Sequence, residues 1–302
     1  MTAQKLLRFS LHVPSGWEET LIWQLYQDGW GIGLQENSFQ AGHLDDEPVG
    51  TSGNPEVVFV VRHADAPRLL VRVEELAQSY GWRPQEWNHT TSNLAQEDWE
   101  FAWRKRWKPF RCAGFVVHAD FHELSSLSLR RTDTPLQVPT GSAFGTGGHP
   151  STRIALRTLK RWYSEQPFNN LLDVGTGTGI LAVAGALTGV KVNIGMDPDP
   201  PSAGQASQMA RLNGVESQCH FWQSTLESAD GQWQVVFANL QSGLLQYYAP
   251  MLSKRLQAGG RLFTGGFMDK NEEPTLLALE KSGLELQRLH KHGRWRAAEL
   301  RK

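Results

Sequence analysis

The sequence has only two cysteines, Cys112 and Cys219, and they stand in no CxxC or Cys/His spacing. This scarcity excludes a disulfide scaffold and any strong zinc signature, and it fits a reducing cytosol. Long hydrophobic runs are also absent, since no apolar stretch approaches the roughly 18 residues that a membrane helix requires. The opening MTAQKLLRFSLHV interrupts its hydrophobic positions with Lys5 and Arg8. We therefore expect neither a signal peptide nor a membrane span.

The composition is that of a globular chain. Apolar residues make up 40% and charged residues 20% of the 302 positions, without internal repeats or low-complexity tracts. At roughly 150 residues per domain, two domains are expected. The net charge of −1 conceals an asymmetry, because residues 1–93 carry 6 basic and 12 acidic residues while the remainder carries 24 and 19. This split predicts a boundary near residue 93, and it gives the N-terminal part a charge suited to a basic macromolecule.

The N-terminal part reads as an alternation of short strands and helices. The patterns predict, in order, a strand at Leu6–Val13, a helix from Trp17 to Leu25, strands at Gly31–Gln35 and Val57–Val61, a helix at Ala66–Tyr80 and a strand at Trp82–Trp87. The order β-α-β-β-α-β is that of a ferredoxin-like α+β domain. Because that scaffold serves many functions, it indicates little about chemistry.

A connecting helix is predicted at Glu97–Trp107, where Trp99, Trp103 and Trp107 recur four apart on one face. Five cations lie between Arg104 and Arg111, so an aromatic and basic nucleic-acid groove is one interpretation. We favour the other interpretation, a packing face at a domain junction. The predicted organisation is an N-terminal domain at 1–93, a linker helix at 94–108 and a second domain at 109–302.

The second domain alternates β and α segments. Strands Phe115–Ala119 and Leu127–Arg131 are expected before a glycine-rich loop, and a helix at Pro150–Ser164 after it. From there the predicted elements are strands at 171–174, 190–196, 219–222, 235–238, 261–265 and 284–290 with helices at 180–187, 203–213, 243–256 and 272–282. This alternation is typical of a doubly wound α/β sheet. A turn at Gly293-Arg294 would then lead into a last, antiparallel strand at Trp295–Leu300.

A glycine-rich turn, D-V-G-T-G-T-G at 173–179, follows a predicted strand and opens a helix. Glycines there let the backbone approach a ligand closely, and the turn falls at the carboxyl edge of the sheet, where such folds bind ligands. A dinucleotide fingerprint would place its third glycine one position later, where Ile180 stands. The motif therefore favours a nucleoside cofactor that has no pyrophosphate.

Two polar residues end later strands. Asp197 stands 22 positions after Gly175, where an acid accepts hydrogen bonds from ribose hydroxyls, whereas Asp199 suits a helix N-cap. Asn239 follows an apolar run and, taken alone, is an ordinary strand terminator. Its sequence A-N-L-Q lacks the prolines and aromatic residue of Asn-Pro-Pro-Tyr enzymes, which disfavours base or glutamine methylation.

The combination of S-A-F-G-T-G-G-H-P-S-T (142–152), D-V-G-T-G-T-G-I-L (173–181), G-M-D-P-D (195–199) and A-N-L (238–240) resembles the ribosomal protein L11 methyltransferase (PrmA) family. The resemblance implies a class I, Rossmann-like methyltransferase domain with an antiparallel last strand, joined to a small ferredoxin-like domain. It also implies S-adenosyl-L-methionine as cofactor. The cofactor-binding residues carried over by the motifs are Phe144, Gly145, Thr152, Gly175, Gly177, Asp197 and Asn239.

The implied reaction is methylation of lysine ε-amines and the N-terminal α-amine of ribosomal protein L11 in the cytoplasm. We expect a monomer that needs no metal, no membrane and no direct nucleic-acid contact. Asn239 is the candidate for orienting the amine. His149 precedes Pro150 in a loop, so we favour a role in helix entry over one as general base. Rate acceleration is then expected from positioning and desolvation.

Two alternatives stay open. One is a methyltransferase of the same build that acts on a lysine of another protein. The other is a non-catalytic ribosome- or RNA-binding module, suggested by the basic cluster at 104–111 and the twelve tryptophans but disfavoured by the intact glycine motif. An NAD-dependent oxidoreductase is disfavoured by the glycine spacing.

Overall fold

The computed structural model describes residues 6–14, 17–28, 30, 34–36, 56–94, 108–139 and 147–302. The chain divides into two compact units, Met1–Lys108 and Pro109–Lys302. The predicted linker helix Glu97–Trp107, with its tryptophans, lies outside the described residues. Within the described ranges, no helix combines the length and the apolar character needed to cross a bilayer.

The first unit follows the predicted order of elements. It contains β1 (Leu6–His12), α1 (Glu18–Gln27), β2 (Leu34–Glu36), β3 (Glu56–Arg62), α2 (Ala66–Ser79) and β4 (Asn88–Leu94). The sheet order is β2-β3-β1-β4, and every neighbouring pair is antiparallel. Phe9 and Phe59 of the sheet are fully buried, as are Leu21 of α1 and Leu69 of α2. These side chains form the core between the sheet and its helices.

The predicted strand Trp82–Trp87 is wrong. That segment is a turn in which Glu86 accepts hydrogen bonds from the main chain and side chain of Arg83, and it contains Pro84. A proline cannot donate to a strand ladder, so pairing begins only after it, at β4. β4 pairs with β1 along its whole length.

A small sheet opens the second unit. It consists of β5 (Phe110–Cys112), β6 (Phe115–Ala119) and β7 (Thr134–Val138), in that order. The predicted strand Leu127–Arg131 is wrong, because a 3-10 turn at Leu124–Ser126 and irregular chain precede β7.

The side chains of Arg111 and Asp133 explain why Leu127–Arg131 is not a strand, since they bind main-chain groups of this segment. The buried Arg111 donates 2.5 Å to the carbonyl of Ser128, and Asp133 accepts from the main-chain N–H of Arg130 at 2.7 Å. Arg111 and Asp133 also form an ion pair of 2.9 Å. Burial alone would raise the pKa of Asp133, but its hydrogen bonds with Arg111 and Arg130 lower it.

The main sheet has seven strands: β8 (Asn170–Val174), β9 (Val192–Asp197), β10 (Cys219–Gln223), β11 (Trp233–Asn239), β12 (Leu256–Met268), β13 (Glu285–His292) and β14 (Trp295–Arg301). Their order is β10-β9-β8-β11-β12-β14-β13, and β14 runs antiparallel to both of its neighbours. The helices are α3 (Pro150–Glu165), α4 (Ile180–Thr188), α5 (Pro200–Leu212), α6 (Ser242–Arg255) and α7 (Glu272–Lys281). The predicted doubly wound sheet with an antiparallel last strand is confirmed.

The strand order creates one switch point. The chain moves from β8 outwards to β9 and β10, and then returns to β11 on the other side of β8. Connections that leave two adjacent strands in opposite directions open a crevice at their carboxyl ends. Leu172 of β8 and Val236 of β11 are register partners and belong to one buried core cluster.

Candidate functional site

The glycine turn follows β8 at the crevice. Gly175, Gly177 and Gly179 all have positive φ (72°, 53° and 82°), a region that other residues rarely adopt. The main-chain N–H groups of Gly175 and Thr176 donate to the carbonyl of Met196 at 2.8 and 3.0 Å, which fastens the turn to β9. A Cβ at Gly175 would collide with Leu240, whereas one at Gly177 would meet no atom within 4 Å. The turn is thus closely packed at its base and open beside Gly177.

Asp197 ends β9 and holds the turn from the other side. Its Oδ2 accepts the main-chain N–H of Gly177 at 2.9 Å, and its Oδ1 accepts that of Asp199 at 2.9 Å. A carboxylate has about four acceptor positions, so acceptor capacity remains for the hydroxyls of a ligand. Asp199 occupies the N-cap position of α5 but makes no side-chain cap hydrogen bond.

Asp173, a residue that the sequence analysis did not single out, lies beneath the turn. It is 1% exposed, and its Oδ2 accepts the hydroxyl of Thr176 at 2.7 Å. Burial, with a smaller contribution from the charge of Asp197, raises the pKa of Asp173 to about 7. The available signal was an acid inside the apolar run of β8, and such a residue tends to mark a functional site.

Asn239 ends β11, and Thr152 is buried in the first turn of α3. The structure brings them together, because Asn239 Nδ2 donates to Thr152 Oγ1 at 3.5 Å. Asn239 Oδ1 is buried, and within the described ranges no group donates a hydrogen bond to it.

Two glycines of β12 leave room for this amide. Gly265 pairs with Asn239 across the sheet, and a Cβ there would lie 2.8 Å from Asn239 Oδ1. Gly266 has a φ of 85°, and a Cβ on it would lie 2.9 Å from the carbonyl oxygen of Leu240. Sequence reasoning missed these glycines, since nothing local shows that β12 runs beside β11.

His149 caps α3. Its Nδ1 accepts the main-chain N–H of Ser151 at 3.2 Å, and its ring packs edge-on against Trp295 with 4.4 Å between ring centroids. Burial lowers the pKa of His149 to about 3, with a further contribution from His292. A neutral imidazole whose Nδ1 caps a helix agrees with the favoured role in helix entry.

Thr152, Gly175, Gly177, Asp197 and Asn239 therefore lie in one region, at the carboxyl ends of β8, β9 and β11 and the start of α3. Phe144 and Gly145 lie outside the described residues. Across the described part of the chain, no group of three or more His, Cys, Asp or Glu side chains is placed to hold a metal ion.

Residues 6–302 match the family model described as ribosomal protein L11 methyltransferase (PrmA). A ribosomal protein L11 methyltransferase of Pelotomaculum thermopropionicum is 32% identical over 214 residues, which are 70% of this chain and 68% of that protein. One of Geobacter metallireducens is 29% identical over 265 residues, 87% of this chain and 85% of that protein.

The crystal structure of ribosomal protein L11 methylase from Lactobacillus delbrueckii subsp. bulgaricus superposes with a TM-score of 0.56 at 22% identity, covering 62% of this chain and 94% of that chain. At this identity the superposition shows the fold alone. The expected class I methyltransferase fold of the second unit is confirmed.

Proposed function

The chain belongs to the ribosomal protein L11 methyltransferase (PrmA) family, and from this premise we propose that it transfers methyl groups from S-adenosyl-L-methionine to amino groups of ribosomal protein L11. The observation that supports the site is the convergence of the glycine turn, Asp197 and Asn239 at the switch point of the sheet. A binding module has no need of this arrangement. An enzyme that holds a nucleoside beside an amine does need it.

The residues present fit this cofactor. The turn offers backbone N–H groups and open space beside Gly177, and the Asp197 carboxylate is positioned to accept ribose hydroxyls. The turn itself contains no lysine or arginine, which suits a ligand without phosphates. When bound, the cofactor supplies an electrophilic methyl group on a sulfonium, and its thioether leaves without needing an acid. We assign the binding of the nucleoside to Gly175, Gly177, Asp197 and Thr152.

The chain's own contribution to the reaction is to orient a neutral amine. Asn239 Oδ1 is a buried acceptor without a partner among the described groups, and the absence of a Cβ at Gly265 and Gly266 avoids a close contact with it. Accepting one N–H of the amine would direct the nitrogen lone pair towards the methyl group. Such orientation raises the effective concentration of the nucleophile without a general base.

The α-amine is the easier substrate. A lysine with a pKa near 10.4 must lose its proton at a cost of about 4–5 kcal/mol at pH 7, whereas an α-amine near 7.7–8.0 costs only about 1 kcal/mol. Both kinds of amine are proposed as acceptors, and lysine methylation is expected to rise more steeply with pH.

The first unit is proposed to be a ferredoxin-like domain that holds the substrate. Its element order and its antiparallel sheet, β2-β3-β1-β4, support this assignment. Residues 1–93 carry 12 acidic and 6 basic residues, and ribosomal proteins are generally basic. We propose domain limits of 1–93 and 109–302 with a linker between them, and a monomer that acts in the cytoplasm without membrane or nucleic acid. Deleting residues 1–93 should preserve cofactor binding and abolish protein methylation.

The decisive experiment is incubation of the purified protein with labelled S-adenosyl-L-methionine and a panel of ribosomal proteins, followed by intact mass measurement. Mass gains in multiples of one methyl group on L11 are expected. Cofactor binding without modification of L11 would indicate another protein substrate. Absence of cofactor binding would favour the non-catalytic module.

A further inference from the structure

One face of α7 carries a surface that the proposed chemistry does not use. Glu273, Leu276, Leu277 and Glu280 follow helical spacing i, i+3, i+4 and i+7, so they lie on one side of the helix. They line an open groove of about 540 Å³ whose other walls include Asp269 and Arg296. Leu277 is 47% exposed, although it is a large apolar residue. We call this surface the α7 groove.

The charge of the α7 groove is unbalanced. Arg296 pairs with Glu272 at 2.6 Å, and Arg294 lies 3.6 Å from Asp269, so these carboxylates have cationic partners. In the part of the chain that the structure describes, neither Glu273 nor Glu280 takes part in an ion pair, and both are exposed. Lys281 is the next residue but does not line the groove. Two exposed carboxylates thus flank an apolar centre.

The α7 groove follows, along the chain, the strand that borders Asn239. Gly265 pairs with Asn239, β12 ends at Met268, and Asp269 follows as the first groove residue. In the sheet order, β12 lies on one side of β11, while the glycine turn after β8 and Asp197 after β9 lie on the other. The α7 groove therefore starts on the β12 side of β11, opposite to the side of the proposed nucleoside site.

From this geometry we infer that the α7 groove docks a basic, partly apolar segment of the methyl-acceptor protein and guides its amine to Asn239. This inference rests on the proposed function. A protein that binds ribosomal RNA must carry lysines and arginines to neutralise phosphates. These cations are complementary to Glu273 and Glu280, which have no ion-pair partner among the described residues. An acidic surface would repel RNA itself, so the occupant is protein.

The test compares the double variant Glu273→Lys/Glu280→Lys with a charge-matched control, Glu216→Lys/Asp230→Lys, whose sites are exposed and outside the groove. Purified ribosomal protein L11 is the probe, and its KM and kcat are measured at low and high ionic strength. The groove variant should raise the KM for L11 about ten-fold at low salt. The increase should shrink at high salt. The kcat and the affinity for S-adenosyl-L-methionine should stay unchanged, and the control should match the wild type.

A third variant, Leu277→Gln, removes the exposed apolar contact. It should raise the KM for L11 by a smaller factor that does not depend on salt. A KM equal to that of the control in both groove variants would overturn the inference. If the wild type self-associates in sedimentation, contrary to the proposed monomer, and the groove variants lose this at unchanged KM, the groove would belong to an interface with a second copy of the chain, and the inference would also be overturned.

A direct binding measurement separates this inference from the proposed function. Binding of L11 is followed without cofactor for wild type, groove variant and control. If wild type binds L11 but does not methylate it, the proposed function fails, and a selective loss of binding in the groove variant still supports the groove. Equal binding in all three proteins contradicts it.

Discussion

Glu299 offers the sharpest test of how the methyltransferase unit is held together. It lies on β14, is 3% exposed, and accepts hydrogen bonds from Thr158, Trp162 and His290, besides pairing with Arg161. These donors come from α3 and β13, so one carboxylate links a helix to two strands. We predict that Glu299→Gln destabilises this unit strongly at neutral pH and less at acid pH.

The magnitude follows from the pKa of the carboxyl. Burial would raise it, but hydrogen bonds from His290 and Arg161 outweigh burial and lower it from 4.5 to about 2. A carboxyl group whose pKa is lower in the folded than in the unfolded state stabilises the folded state. That contribution is complete at pH values above the unfolded pKa and is lost as the pH falls through the folded pKa. At about 1.4 kcal/mol per pKa unit, ionisation of Glu299 stabilises the unit by roughly 3 kcal/mol at pH 7 and roughly 1.4 kcal/mol at pH 3.

Native-state hydrogen exchange of the β14 amides measures the local stability around Glu299, independently of the N-terminal unit. The matched control is Glu165→Gln, since Glu165 pairs with the same Arg161 at 2.9 Å but is 49% exposed. An exposed pair contributes only about 0–1 kcal/mol, so the control should change exchange little. Equal destabilisation by the two variants, or a Glu299→Gln effect that stays constant between pH 7 and pH 3, would refute the reasoning.

Three further predictions concern the site and the small sheet. Asn239→Ala should lower turnover about ten-fold or more, because the amine loses its orienting acceptor; unchanged turnover together with unchanged cofactor affinity would contradict that role. Gly265→Ala places a Cβ 2.8 Å from Asn239 Oδ1 and should reduce kcat, whereas Gly243→Ala, with no atom within 4 Å, should not. Arg111→Leu leaves the Asp133 carboxylate buried without its partner and should cost about 3–5 kcal/mol in thermal unfolding; Arg111→Leu/Asp133→Leu should recover much of that loss.

The central parallel strands β8, β9 and β11 were predictable because each contains four consecutive buried residues, so each appears as an apolar run bounded by glycine, proline or polar residues. β4 was missed for the converse reason. Its sequence NHTTSNL carries no apolar alternation, and its side chains from Asn88 to Asn93 are exposed. Only the neighbouring β1, distant in sequence, makes it a strand.

In the candidate site too, some features could be predicted from the local sequence and others could not. The glycine turn and Asp197 each follow an apolar run that was recognisable as a strand, so their location at the carboxyl edge of the sheet could be predicted from the local sequence. The contact between Asn239 and Thr152, and the space that Gly265 leaves for the amide, depend on which strands are neighbours. That information is non-local, and motif spacing does not contain it.

The position of β14 has a consequence for how the sheet is completed. Among the described strands, β13 pairs only with β14, and β14 pairs in turn with β12. β13 therefore cannot join the sheet when it is synthesised, and the two strands are expected to form a local hairpin at Gly293 that docks as one piece. Until that docking occurs, β12 is an open edge available to strands of other chains. The final hairpin thus replaces the edge of β12 by that of β13, whose sequence ELQRLHKH carries charged residues of the kind that disfavour strand addition.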